Sequence, residues 1–169
     1  MRWLRVFAFC VLPVLAAADD WEPLGFLIGQ WSGQGKGSPG TGSGSFSFQP
    51  DLQRQILVRK SFADYPPAAD KPAYRHDDLM IVYREGTSRQ LRAIYFDNEG
   101  HVIRYTVDAT AERVVFTSDG ARSEERYRMT YWPAGRDQLD FRFEVATPGK
   151  DLATYIDAKL RREAAARAP

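Results

Sequence analysis

Between Trp31 and Arg161 the sequence offers no window of helical length between one turn signal and the next, and this restricts the fold more than any motif does. Short segments of alternating or β-branched apolar residues recur instead at 45–48, 54–62, 78–84, 90–96, 101–109, 113–117, 123–132, 138–146 and 152–161. Compact turn sequences separate most of them, among them Glu85-Gly86-Thr87-Ser88, Asp97-Asn98-Glu99-Gly100 and Pro148-Gly149-Lys150-Asp151. With the strand that opens at Trp31 they make ten, and parallel βαβ arrangements are excluded. Ten strands without edge protection favour closure, so the expected fold is all-β, a closed antiparallel up-and-down barrel. A β-sandwich is the alternative, and its Greek-key crossings need longer connections than these turns provide.

The segment before the barrel is Phe26-Leu27-Ile28-Gly29-Gln30-Trp31-Ser32-Gly33-Gln34-Gly35. Residues 19–28 read as a short helical turn, capped by Asp19 or Asp20, with Pro23 in its first turn and apolar side chains facing a barrel end. Trp31 then plugs that end while the glycines let the first strand curl. The glycine-rich stretch 32–45 reads as strand, flexible loop, strand. It lacks the Gly-Lys-Ser/Thr ending of a phosphate loop. Residues 63–77, with Pro66, Pro67 and Pro72, are longer than a hairpin needs and form a candidate lid.

Residues 1–18 carry Arg2 and Arg5, an apolar run and Ala16-Ala17-Ala18, the pattern of a cleaved export signal. The protein is therefore expected in the periplasm or secreted, with a barrel over 19–162 and a flexible tail at 163–169. The apolar run is too short for a membrane anchor, and no later transmembrane segment is expected. Cys10 is the single cysteine and falls within the leader, so the mature chain has neither disulfide nor thiolate. Formal charge is +1 with both signs interspersed, which leaves no footprint for nucleic acid.

If the turns after Arg84 and Phe96 both have even loops, one sheet face collects Leu79, Ile81, Tyr83, Arg92, Ile94, Phe96, His101, Ile103, Tyr105 and Val107. This more aromatic face is the expected lumen, with Tyr83, Arg92, His101 and Tyr105 as its polar groups. Later strands add Tyr127, Met129 and Tyr131, and then Leu139, Phe141, Phe143 and Val145. The candidate ligand-binding residues are thus Trp31, His76, Tyr83, Arg92, His101, Tyr105, Tyr127 and Tyr155, around a small apolar or amphipathic molecule.

Catalytic motifs are scarce. No Gly-x-Ser-x-Gly or His-Glu-x-x-His occurs, and with two histidines and no mature cysteine no catalytic or metal site is expected. His76-Asp77-Asp78 is the one acid–imidazole cluster, and strand alternation lets at most one of its carboxylates orient the ring.

Gly29-Gln30-Trp31, after a helical turn and before a ten-strand meander, resembles the calycin superfamily of lipocalins and fatty-acid-binding proteins. The resemblance implies that Trp31 packs against a basic residue of the last strand, with Lys159, Arg161 and Arg162 as candidates. Together with Phe96-Asp97-Asn98-Glu99-Gly100-His101-Val102, the motif looks like bacterial exported barrels of unknown function, a group related to the nitrobindins. Nitrobindins hold haem through a histidine on the closing strand. Matching Tyr155-Ile156-Asp157-Ala158-Lys159-Leu160 to that strand puts Tyr155 at the ligand position. The resemblance thus implies a ligand-binding barrel, with haem through Tyr155, His76 or His101 as the alternative; a separate reading is a ligand-free envelope partner with a packed core. The last reading requires an apolar patch outside the barrel.

Overall fold

The computed structural model describes residues 21–68 and 71–164. The expected leader at 1–18 lies outside the described residues, as does most of the expected tail.

A 3-10 turn, Leu24–Leu27, precedes ten antiparallel strands: β1 Gly29–Gly37, β2 Gly40–Asp51, β3 Ile56–Tyr65, β4 Tyr74–Glu85, β5 Gln90–Asp97, β6 Val102–Ala109, β7 Val114–Ser118, β8 Arg126–Pro133, β9 Gln138–Ala146 and β10 Ala153–Arg162. Each strand pairs with the next, and β1 pairs with β10 to close the barrel. Closure runs from Trp31 opposite Arg162 to Gly37 opposite Ile156. Among the described residues no helix is long and apolar enough to cross a membrane.

The seam needs its glycines. A Cβ on Gly33 would stand 2.1 Å from the Lys159 carbonyl oxygen, and one on Gly44 2.3 Å from that of Phe62. These contacts lie far inside van der Waals range, so β1 and β2 approach their neighbours more closely than any side chain allows. The stretch 32–45 is accordingly no flexible loop. It is a tight hairpin turning at Ser38-Pro39, with its glycines inside the strands.

The connection expected at 63–77 is also corrected. β3 continues to Tyr65 and β4 begins at Tyr74, paired across the hairpin with their rings stacked at 4.8 Å. Strand pairing supplies hydrogen bonds that a lid would leave unmade.

One end of the barrel is filled. Trp21, Leu24, Leu27 and Trp31 are all buried there, above a layer that includes Phe48, Leu57, Val82, Phe116 and Leu139. Trp31 Nε1 donates to the Leu27 carbonyl at 2.9 Å, and Trp21 Nε1 to that of Arg54 at 3.0 Å, so both indoles bury their ring without losing a hydrogen bond. The basic partner of Trp31 is Arg162, whose guanidinium also donates to the Ile28 and Phe26 carbonyls at 2.7 and 3.2 Å.

Candidate functional site

The other half of the lumen is hollow. A cavity of about 340 Å³ opens at the end opposite the 3-10 turn. Its floor is an aromatic cluster centred on Tyr131, whose ring meets Phe46, Phe48 and Phe116 edge-on at 5.6–6.1 Å and Phe141 at 4.9 Å. Edge-to-face packing of this kind fixes the rings and keeps the floor from collapsing into the space above. On one side the wall is bare backbone, because Gly33, Gly35, Gly42 and Gly44 line it. Aromatic side chains of β5, β6, β8 and β9 form the opposite side.

A buried polar cluster interrupts this apolar wall. Arg59 on β3 and Asp78 on β4 form an ion pair through Nη1 and Oδ1, with side chains only 6% and 5% exposed. The second guanidinium nitrogen of Arg59 donates to Ser61 Oγ at 3.1 Å. Burial by itself would lower the Arg59 pKa, but Asp78 and the hydroxyls of Tyr131 and Tyr95 raise it above the ordinary value, so the charge is retained. Burial pushes the phenols of Tyr95, Tyr105 and Tyr131 up, and Asp78 adds to the effect on Tyr95, so all three are neutral at physiological pH. Arg59 Nε is buried with no hydrogen-bond partner, and the buried Tyr131 hydroxyl lies against the Arg59 guanidinium.

Above this cluster His76 bridges the Tyr95 hydroxyl (Nε2, 2.8 Å) and Glu99 (Nδ1, 2.9 Å). Asp78 lies 3.8 Å from His76 Nε2, whereas Asp77 pairs with Arg75 on the outer surface. The carboxylate beside the ring is therefore the one two residues along the strand, as side-chain alternation requires.

At the mouth, the Asp97 carboxylate accepts from the His101 ring at 2.8 Å and from the backbone N–H groups of Glu99 and His101. Burial opposes ionisation of Asp97, yet the hydrogen bonds from His101 hold its pKa below the usual carboxylate range. Tyr65, Tyr74 and Tyr155 complete the rim. Burial raises the Tyr65 hydroxyl to about 12, helped by Tyr74, Tyr155 and Glu99.

The structure brings His76, His101, Tyr105, Tyr127 and Tyr155 to this cavity. Trp31 belongs to the filled end, below the cavity floor. Tyr83 and Arg92 lie on the outer face, which corrects the expected lumen. The hairpin joining β4 and β5 has an even loop, but β5 and β6 pair Phe96 with Val102 around residues 97–101, an odd loop. Asp97 holds that loop together, and Gly100 takes a φ of 93° within it. The extra residue inverts β4 and β5 relative to β6. Met80, Val82, Ala93 and Tyr95 therefore face inward, while Leu79, Ile81, Ile94 and Phe96 face out. Arg92 instead donates to Thr106 Oγ1 at 2.5 Å and pairs with Asp119.

Arg59, Tyr95 and Glu99 were not legible as site residues, and Asp78 was legible only as one of two carboxylates that could lie beside His76. Arg59 follows Ile56-Leu57-Val58, where both faces of the strand are apolar and parity is undetermined. The available signal was Leu57-x-Arg59-x-Ser61, one face becoming polar toward the mouth. The same inversion exposes Phe96, 40% accessible and paired across strands with Val102, which is 63% accessible. Among the described residues no group of three or more His, Cys, Asp or Glu side chains is placed to hold a metal ion.

No protein-family model matches the chain, and no curated protein does. Solved structures do. Rv2717c from M. tuberculosis superposes with a TM-score of 0.62 at 15% identity, over 87% of this chain and 99% of that one. The S-type phycobiliprotein lyase CPES from Guillardia theta superposes at 0.51 and 9% identity, over 84% and 91%. At such identities the likeness is one of fold, and it agrees with the closed ten-strand antiparallel barrel of this chain.

Proposed function

We propose that the protein is an exported binding barrel that holds one small, largely apolar molecule with an aromatic or otherwise flat body in its lumen. The observation that carries this reading is the hollow, aromatic-walled cavity of about 340 Å³ above a rigid floor, within the size range of small-molecule sites. A barrel serving only as scaffold gains stability by filling such space, and the far end of this one is filled. The polar groups are few and convergent, which is how such pockets orient a ligand.

The test is titration with a neutral solvatochromic dye, Nile red. Saturation at one dye per barrel is expected, and Ala158→Phe, which puts a ring into the lumen, should abolish it while circular dichroism stays unchanged. Undiminished binding in Ala158→Phe would remove the lumen as the site. Export rests on residues 1–18 and is checked by the intact mass of periplasmic protein, expected to begin at Asp19.

Haem is the second reading, and one arrangement favours it. His101 lines the cavity mouth with Nδ1 on Asp97, the carboxylate–imidazole arrangement that leaves Nε2 to a metal. His76 is less suited, since both its ring nitrogens are hydrogen-bonded. Bound haem would supply redox or diatomic-gas chemistry. His101 would hold it and Asp97 would fix the ring. Haemin titration should then give a Soret band that His101→Ala removes and Tyr155→Phe does not.

A further inference from the structure

The charge inventory of the cavity wall is lopsided. Arg59 is the one lysine or arginine lining it among the described residues, against four carboxylates, Asp78, Asp97, Glu99 and Glu125. The single cation is already paired: Asp78 takes one arm of the guanidinium and Ser61 accepts from another. A ligand carboxylate entering the lumen would meet a neutralised pair at depth and, at the mouth, three further carboxylates whose partners are neither lysine nor arginine: Asp97 on the His101 ring, Glu99 on His76 and Glu125 on the Tyr127 hydroxyl. Of the arginines around the mouth, Arg122 reaches away to Asp151 and the Gly149 carbonyl, Arg126 to the Lys150 carbonyl, and Arg75 pairs with Asp64 and Asp77.

The rim also has the surface that favours a cation. Tyr74 and Tyr155 are 41% and 37% exposed there, Tyr65 stacks on Tyr74, and Glu99 stands close enough to raise the pKa of both Tyr65 and Tyr74. Ring faces beside a carboxylate attract ammonium groups through quadrupole and charge together.

We infer that the lumen selects a cationic aromatic amphiphile, its ring in the glycine-and-aromatic cavity and its ammonium group at the mouth between the tyrosines and Glu99, and discriminates against carboxylates of the same shape. This rests on the lumen being a binding site.

The experiment is calorimetric titration of the full chain with three naphthalenes that differ only in the 2-substituent: methylammonium, hydroxymethyl and carboxylate. At about 20 mM salt the ammonium compound should bind about tenfold more tightly than the carboxylate, with the alcohol between, and the gap should close at about 0.5 M salt. The exposed double variant Glu99→Gln/Glu125→Gln should narrow the gap between the ammonium and the carboxylate compounds. If the alcohol binds and the carboxylate equals or exceeds the ammonium, the charge selectivity is overturned and the binding reading stands. If none of the three binds, the binding reading falls and takes the selectivity with it.

Discussion

The Arg162 guanidinium lies 4.1 Å from the centroid of the Trp31 ring, joining the last strand to the first across the barrel seam. It also donates to the Phe26 carbonyl within the 3-10 turn and the Ile28 carbonyl just after it, so one side chain ties the seam, the plug and the turn together. Gly29, with φ at 126° and its Cβ position 2.5 Å from Arg162 Nη1, leaves room for that arm. Arg162→Ala removes two charge-assisted hydrogen bonds and a cation–π contact, with an expected loss of about 2–4 kcal/mol. Urea denaturation measures it. Arg162→Lys should recover only part, because an ammonium cannot reproduce the planar fork.

Gly33 and Gly40 make a discriminating pair. Gly33→Ala forces a methyl against the Lys159 carbonyl and should cost about 1–3 kcal/mol or more, with the strain falling on the β1–β10 seam. A Cβ on Gly40 meets nothing within 4 Å, although its φ of 116° makes alanine unfavourable there too. The seam amides of β1 and β10 should exchange hydrogen faster in Gly33→Ala and not in Gly40→Ala.

The Arg59–Asp78 pair is buried well enough for removal of one partner to be severe. Asp78→Asn and Arg59→Met each leave an uncompensated charge or donor and should cost about 3–5 kcal/mol by denaturant titration. The double variant Arg59→Met/Asp78→Leu should be close to the parent in stability. If the double variant is as unstable as the singles, the pair contributes packing that apolar side chains do not replace.

Acid should loosen the cavity mouth first. The Asp97 pKa is depressed in the folded state relative to about 3.9 unfolded, so the unfolded chain takes up the proton more readily as pH falls. Its stabilisation is therefore fully present above the unfolded value and is lost as pH drops through the folded one. Asp97→Asn should be less stable than the parent at pH 7 by about 1–2 kcal/mol. The two should converge once the pH has fallen below the folded-state pKa of Asp97, with pH-dependent unfolding as the measurement.

Strand number, closure and the Trp31 plug were legible because they follow from local patterning: alternation, turn residues and the lack of any helical window. Side-chain facing was legible where a strand has one apolar face, as with Tyr127-x-Met129-x-Tyr131, and was misread in β4 and β5, where Leu79 through Val82 are apolar on both faces. There the register rests on one odd loop that Asp97 holds together, and a shift of one residue exchanges Tyr83 and Arg92 for Val82, Ala93 and Tyr95. Likewise a flexible loop was expected between the strands of 32–45, because the reason for the glycines of β1 and β2 is the backbone of β10 and β3, distant in sequence.

The sequence by itself determined an antiparallel barrel, through short-range propensity and turn chemistry that need no partner to act. Only the tertiary structure decided which half of the lumen is hollow and that Arg59 and Asp78 meet inside it, because closure sets the register in which distant strands bring their side chains together.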